Sequence, residues 1–429
     1  MTALVATDFP DLQTAIDAVA AAGGGELVVP AGEHRTGPIT LCTNLTLTLQ
    51  DGAHIVFNDD TMLYEPIWTR WEGIECWAMH PLVYAADASN ITIRGNGVID
   101  GNGQKWWARF KENEDSGQSE PIYPDELRLA ALNPDYKSRP GGGARPQTQY
   151  LRPPLMQFWG CQNVNLEDFE LRNSPFWTLH TVYSRNIKIS GMTIFNPHDA
   201  INTDAIDIDS CSDVLIENCK LDVGDDAVTL KSGSGPDGVR VGLPTQNVTV
   251  RNCDIYASHG GLAIGSETAG GIKNVEIENC RFIGTQRGVR IKTRRTRGGT
   301  IENIVIRDLQ MDKVWCPIVI GMYFQPGVDP DNPDYGWIMS TQAQPVTDTT
   351  PHIRNVLIEN VQAEDVRSTA AFIVGLPEAP IENVVIKNFD YNLAPDAELL
   401  ETWNTEPTGG LFHDNDRGIK IINAAAQFI

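Results

Sequence analysis

The chain lacks any apolar run approaching the length of a membrane span, and little of it has helical periodicity. It also lacks a basic excess. Thirty-three Lys and Arg against 56 Asp and Glu leave a formal charge of −23, which argues against nucleic acid or an anionic membrane surface as partner. The eight cysteines lack the paired short intervals of a zinc site, so no metal is expected from them. Met1–Pro10 has neither a basic region nor an apolar core of signal-peptide length. A cytoplasmic location is expected, although a mature secreted form with a replaced start would read the same.

What the chain has is a repeat. Asn163-Val-Asn-Leu, Asn186-Ile-Lys-Ile, Asp213-Val-Leu-Ile, Asn247-Val-Thr-Val, Asn274-Val-Glu-Ile, Asn303-Ile-Val-Ile, Asn355-Val-Leu-Ile and Asn383-Val-Val-Ile each begin a short alternating strand. Asn44 and Asn90 extend the series toward the start, and the intervals run mostly between 23 and 34 residues. One such unit cannot bury its own apolar face, so the units must stack. The expectation is an all-β chain, a single parallel β-helix domain over residues 1–429. Asn44, Asn90 and Asn247 match Asn-x-Thr but fall at the repeated turn, and turn chemistry explains them better than glycosylation. Cys219, Cys253 and Cys280 share a repeat position with Val361 and Phe389, which marks free thiols in a packed interior.

Phe9, Leu12, Ile16 and Val19 have helical spacing, with Asp11 as N-cap and glycines 23–25 as a stop, so residues 8–25 are expected to cap the stack. Insertions interrupt the repeat near 58–82, 103–155 and 325–352.

Four stretches overlay: Asp204–Ser210, Asp226–Ser232, Gly260–Ser266 and Arg287–Thr293. The offsets of 22, 34 and 27 residues are one coil each once a Gly-rich excursion (232–242) is looped out. Stacking then brings Asp204, Asp225, Asp226, His259, Arg290 and Lys292 onto one outward wall. Strict alternation turns Asp204 and Asp226 inward, so a bend beside Gly224 and Gly260 must break the parity. Adjacent carboxylates repel, so one keeps its proton to higher pH, giving an acid beside a base. His259 stacks on Asp225 and can tune its protonation. Arg290 and Lys292 face the same way and can clamp a carboxylate. Asp207 and Asp209 on the same wall read as supports. Arg294, Arg295 and Arg297 read equally well as a solvated basic loop.

Asn202-Thr-Asp204, Gly224-Asp-Asp226, Ser258-His-Gly-Gly261 and Arg290-Ile-Lys292, in that order, resemble the motifs of the polygalacturonases, glycoside hydrolase family twenty-eight. Ser258 departs from the glycine many members carry. The resemblance, over roughly residues 10–425, implies a right-handed β-helix and inverting hydrolysis of α-1,4-galacturonosyl bonds in galacturonan or oligogalacturonides, with no cofactor. It implies Asp225 as general acid, Asp204 and Asp226 holding the attacking water, and His259 maintaining the acid. Arg290 and Lys292 would bind a galacturonate carboxylate, Asn202 would support the site, and Tyr323 would meet substrate. Walled by its insertions, the cleft is expected to act from chain ends. Endo action, a substituted pectin, a calcium-dependent pectate lyase and a non-catalytic carbohydrate-binding β-helix are the alternatives. Trp68, Trp71, Trp77, Trp106 and Trp107 are candidates for stacking on sugar rings, with packing the commoner role.

Overall fold

A computed structural model describes residues 3–137, 146–328, 330–395, 408–412 and 418–429. Part of the 103–155 insertion therefore lies outside the described residues. Through the middle of the chain each coil contributes three short strands, and in the last coils two of them run together as Thr300–Asp312, His352–Val366 and Ile381–Leu393. The coil at the middle of the chain runs Ser212–Glu217, Lys220–Asp222 and Val228–Lys231, and every strand pairs in parallel with its counterpart one coil on. One ladder of eleven strands runs from Ile39–Thr40 to Ile419–Ile422. The other two strands of each coil merge into a 21-stranded ladder. The winding is right-handed, the hand that parallel β crossovers take.

The expected interior ladders are present. Ile206, Val228, Leu262, Val289 and Ile318 stack in register, as do Ile208, Leu230, Ile264, Ile291 and Ile320, and all are buried. Cys219, Cys253 and Cys280 are free and buried, and Val361 and Phe389 stack at the equivalent place further on.

The repeated asparagines do more than turn the chain. Asn44, Asn90, Asn163, Asn186, Asn247, Asn274, Asn303, Asn355 and Asn383 all adopt positive φ, between 51° and 60°. This is the left-handed region that asparagine enters more readily than other side-chain-bearing residues. From Asn90 onward their Nδ2 groups donate to the equivalent side chain one coil back, as Asn274 does to Asn247 (3.2 Å) and Asn303 to Asn274 (3.2 Å). Asp213 accepts from Asn247 but has no N–H to pass on, so the donor chain restarts at this coil. The three Asn-x-Thr asparagines belong to this ladder.

Helix Leu12–Ala21 caps the first coil, with Asp11 accepting from the Thr14 amide (2.7 Å) and Leu12, Ile16 and Val19 buried. The first insertion is an antiparallel hairpin, Pro66–Trp71 with Ile74–Met79. The second is helical where described, in Gln104–Asp115 and Pro124–Leu132, contrary to the non-helical expectation. The buried spacing of Trp106, Phe110 and Asn113 is the helical signal, short enough to be lost among long-range repeats. The third contains one helical turn, Tyr335–Ile338.

Replacing Asn274 with alanine removes one donated and one accepted bond and strains the left-handed backbone. It should cost about 2 kcal/mol, and Asn274→Gly about half of that, in denaturant unfolding. Wild-type stability in Asn274→Ala would refute the structural weight given to the ladder.

Candidate active site

Asp204 precedes strand Ile206–Asp209, Asp225 and Asp226 precede Val228–Lys231, and His259 precedes Gly260–Ile264. The backbone leaves strand geometry just ahead of each, and this produces the inferred break in parity. Asn202 has φ 58°, and Gly224 packs so closely that a Cβ there would lie 2.5 Å from the Ala200 carbonyl oxygen. Gly260 leaves space for Asp226: a Cβ on it would fall 2.6 Å from Asp226 Oδ1. The coil register then places one oxygen from each of Asp204, Asp225 and Asp226 within 4.8 Å of one another. They are the one set of three such groups, among the described residues, close enough to share a cation.

Two side chains of strand Arg287–Lys292, two coils on, reach back to one of these acids. Lys292 Nζ donates to Asp226 Oδ2 at 2.5 Å, and Arg290 Nη1 lies 3.6 Å from Asp226 Oδ1. Arg290 can lean over because its register partners one and two coils back are Ala263 and Thr229. His259 Nδ1 lies 3.3 Å from Asp225 Oδ1, and the Asp226 amide donates to that oxygen (2.9 Å). Asn202 Oδ1 accepts from Arg152, itself wholly buried (2.8 Å).

The three carboxyls are unequal. Burial, and then the charges of Asp225 and Asp207, push Asp204 well above the carboxylate range. Burial would raise Asp225 too, but His259, Lys292 and Arg290 override it and hold that carboxyl well below its ordinary value. Asp226 is likewise lowered by Lys292 and Arg290 against the effect of burial. Of the three, Asp204 is the carboxyl whose surroundings favour the protonated form.

These groups line a cavity of about 480 Å³. Its opposite wall is the hairpin. Arg70 reaches from it to Asp209 (2.7 Å) and Ser210 (2.8 Å), and this covers the outward face of the strands. Asp207, Asp209 and Lys231 are accordingly outward but buried. Lys231 lies between Glu267 (3.2 Å) and Asp207 (3.6 Å) and lines the cavity.

Several expectations need correction. Tyr323 does not reach the cavity: it is buried, donates to the Ser340 carbonyl (3.2 Å) and packs edge-on against Phe412. Its neighbour Phe324 lines the site, its ring 5.1 Å from Lys292 Nζ and 5.3 Å from the Arg290 guanidinium carbon. Alternation fails beyond strand Cys316–Gly321, so the side-chain direction there was not readable. Arg294, Arg295 and Arg297 are not a solvated loop. All three are buried: Arg294 binds the carbonyls of Phe324 and Pro326, Arg295 clasps Glu378, and Arg297 meets Ser234 and Glu267. Of the tryptophans, Trp71 stacks on Phe176, Trp106 packs against Tyr64, Trp107 donates to the Ser174 carbonyl, and Trp68 and Trp77 pair with each other. The tryptophans at the cavity are Trp177 and Trp315 instead.

Comparison with known proteins agrees with this geometry. The family model described as "Glycosyl hydrolases family 28" matches residues 137–394. The chain is 30% identical to a protein named "Probable polygalacturonase" from Vitis vinifera, over 94% of this chain and 74% of that one. It is 27% identical to the exo-poly-alpha-D-galacturonosidase of Dickeya chrysanthemi, over 72% of this chain and 53% of that protein, so it spans about half of that relative's length. The crystal structure of a hyperthermoactive exopolygalacturonase from Thermotoga maritima superposes with a TM-score of 0.77 at 32% identity, covering 99% of this chain and 92% of that one. Stacked coils, three facing aspartates with His259, Arg290 and Lys292 beside them, and these likenesses converge: the chain belongs to glycosyl hydrolase family 28.

Proposed function

We propose that this protein hydrolyses α-1,4 bonds between galacturonic acid residues with inversion, releasing short products from the ends of oligogalacturonides. The observation that carries the reading is a cation-lined, hairpin-walled pocket built around three acids. A pocket closed on one side admits a chain end more readily than the middle of a polymer. The names of the Dickeya and Thermotoga relatives support exo action. A cytoplasmic enzyme would meet short imported fragments rather than polymer, which fits the same reading.

The surroundings of the free site favour the protonated form of Asp204, while leaving-group protonation is assigned to Asp225. An anionic substrate reconciles the two. Arg290 and Lys292 spend their charge on Asp226 and Asp225 in the free site. A galacturonate carboxylate bound to those cations screens them, and Asp225 becomes more basic. The proton then passes from Asp204 to Asp225. One transfer creates the acid at Asp225 and the base at Asp204. Asp225 protonates the glycosidic oxygen as its bond to the anomeric carbon breaks. Water held by Asp204 and Asp226 bonds to that carbon and gives up its proton to them. Inverting enzymes usually separate their carboxyls by about 6.5 Å or more. At the closer spacing here, the water must lie between Asp204 and Asp226 rather than beyond a single distant base.

Three outcomes follow from this chemistry. On polygalacturonate, a monomer or one short product should accumulate from the first minutes; an early ladder of long oligomers means internal cleavage instead. Asp225→Asn should lower kcat by about 10³-fold or more while KM changes only a few-fold. An unaffected kcat there would remove Asp225 from the acid role. Lys292→Met removes the charge that depresses Asp226. The base then protonates at higher pH, so the acid limb of the kcat/KM profile should move up. An unmoved limb in Lys292→Met would separate Lys292 from the ionisation of the acids.

A further inference from the structure

Two tryptophans line the cavity, and they differ in what their rings already hold. Trp177 is buried. Phe176 stacks on it with centroids 5.0 Å apart, His180 meets it edge-on at 4.9 Å, and Lys231 Nζ lies 4.4 Å from its ring centre. Trp315 is partly exposed. Among the described residues its indole has no hydrogen-bond partner and no aromatic ring or cation over it.

The backbone that carries Trp315 is nevertheless fixed. Its amide donates to the Thr285 carbonyl (3.2 Å), and its carbonyl accepts from the Ser368 amide (3.0 Å). Trp315 immediately precedes strand Cys316–Gly321, much as Asp225 and Asp226 precede Val228–Lys231. Extending the strand register places it in one column with Gln286, His259 and Asp225, one position per coil. Those three predecessors are polar, so an indole facing the same cavity is the exception in its column. An apolar face left in water gains free energy when a ligand covers it.

Three coils separate Trp315 from Asp225, about 14 Å at the spacing of paired strands. A single pyranose ring is much shorter than that. In the hydrolytic reading above, on which this inference rests, the bond to be cut lies at Asp225. A ring over Trp315 is then neither of the two that this bond joins, whichever way the sugar chain runs. The chemistry of the ring fits the indole. The 4-oxygen of galacturonate is axial, so the hydrogens on C3, C4 and C5 gather on the opposite face and make it apolar. The flat face of an indole can cover that patch while the hydroxyls and the carboxylate at the ring edge stay in water.

We propose that Trp315 is a distal sugar-binding platform, its indole stacking on a galacturonate ring at least one residue removed from the bond being cut.

The test compares saturated digalacturonate, whose two rings flank the bond and leave Trp315 uncovered, with tetragalacturonate. The wild-type enzyme should favour the tetramer in initial-rate kcat/KM by about tenfold or more. Trp315→Ala should bring that ratio to within a few-fold of one. Trp315→Phe, which keeps a flat face, should recover much of it, and Trp315→Met, which keeps apolar bulk without one, should not. The ratio is taken within one preparation, so a smaller folded fraction cancels. A merely structural role would lower both rates together and leave the ratio unchanged, which overturns the proposal. So does a wild-type ratio near one, or a methionine variant that matches the phenylalanine one. If the wild-type enzyme cleaves neither oligogalacturonide, the hydrolytic reading has failed and this proposal falls with it. Cleavage of both with an unchanged ratio in Trp315→Ala overturns the role of Trp315 alone.

Discussion

No coil of this protein can satisfy its own strand hydrogen bonds, so each must borrow them from the coil above and below. From that constraint come the parallel register, the stacked interior aliphatics and the asparagine ladder. The active site follows from it as well. Residues 22 to 66 positions apart meet because successive coils sit about 4.8 Å apart. Asp226 and Lys292 are neighbours for the same reason that Val228 and Leu262 are.

The site gathers an uncommon amount of charge away from water. Asp204, Asp207, Asp209, Asp226 and Glu267 are buried together with Arg70, Lys231, Arg290, Lys292 and Arg297. Buried ions are tolerated only when opposite charge is close, and removing one partner strands the other. The pairing here is graded. Asp209 Oδ1 accepts from Arg70 at 2.7 Å, and the carboxyl is lowered despite burial. Asp207 has only the more distant Lys231, and burial raises it. Burial thus favours the protonated form at Asp204 and Asp207, while the paired Asp209 and Asp226 favour the ionised one. The overall charge of −23 has little bearing on this, because the local balance is set inside the cavity.

Features carried by the repeat were legible in the sequence. The strand pattern, the buried thiols, the capping helix and the grouping of Asp204, Asp225, Asp226, His259, Arg290 and Lys292 all depend on periodic spacing, and periodicity survives in a linear string. The hairpin wall does not. Arg70 meets Asp209 across 139 residues, and nothing in the spacing of either announces the other. Tyr323 was misplaced, and Arg294, Arg295 and Arg297 were left undecided, for a related reason: they follow strand ends, where alternation no longer dictates direction. The tryptophans of the insertions drew notice by clustering, yet they build the wall from behind. Trp177 and Trp315 each stand alone in the sequence and lie within the repeat region, and coil register gives them a place at the cavity.

The hairpin has a mechanical side. A solenoid held by nearest-neighbour contacts is soft along its axis, like a spring whose turns can shear past one another. Thr69 is tied to Gln157, Arg70 to Asp209, Gly73 to Ser234 and the Glu75 amide to Asp237. Those anchors lie on or just beyond strands spanning four turns of the spring, so one short ribbon acts as a diagonal brace across them. Thermal shear is excluded from the braced section and displaced to the coils on either side. The clustered carboxyls thereby gain stiffness from a part of the chain that belongs to no coil.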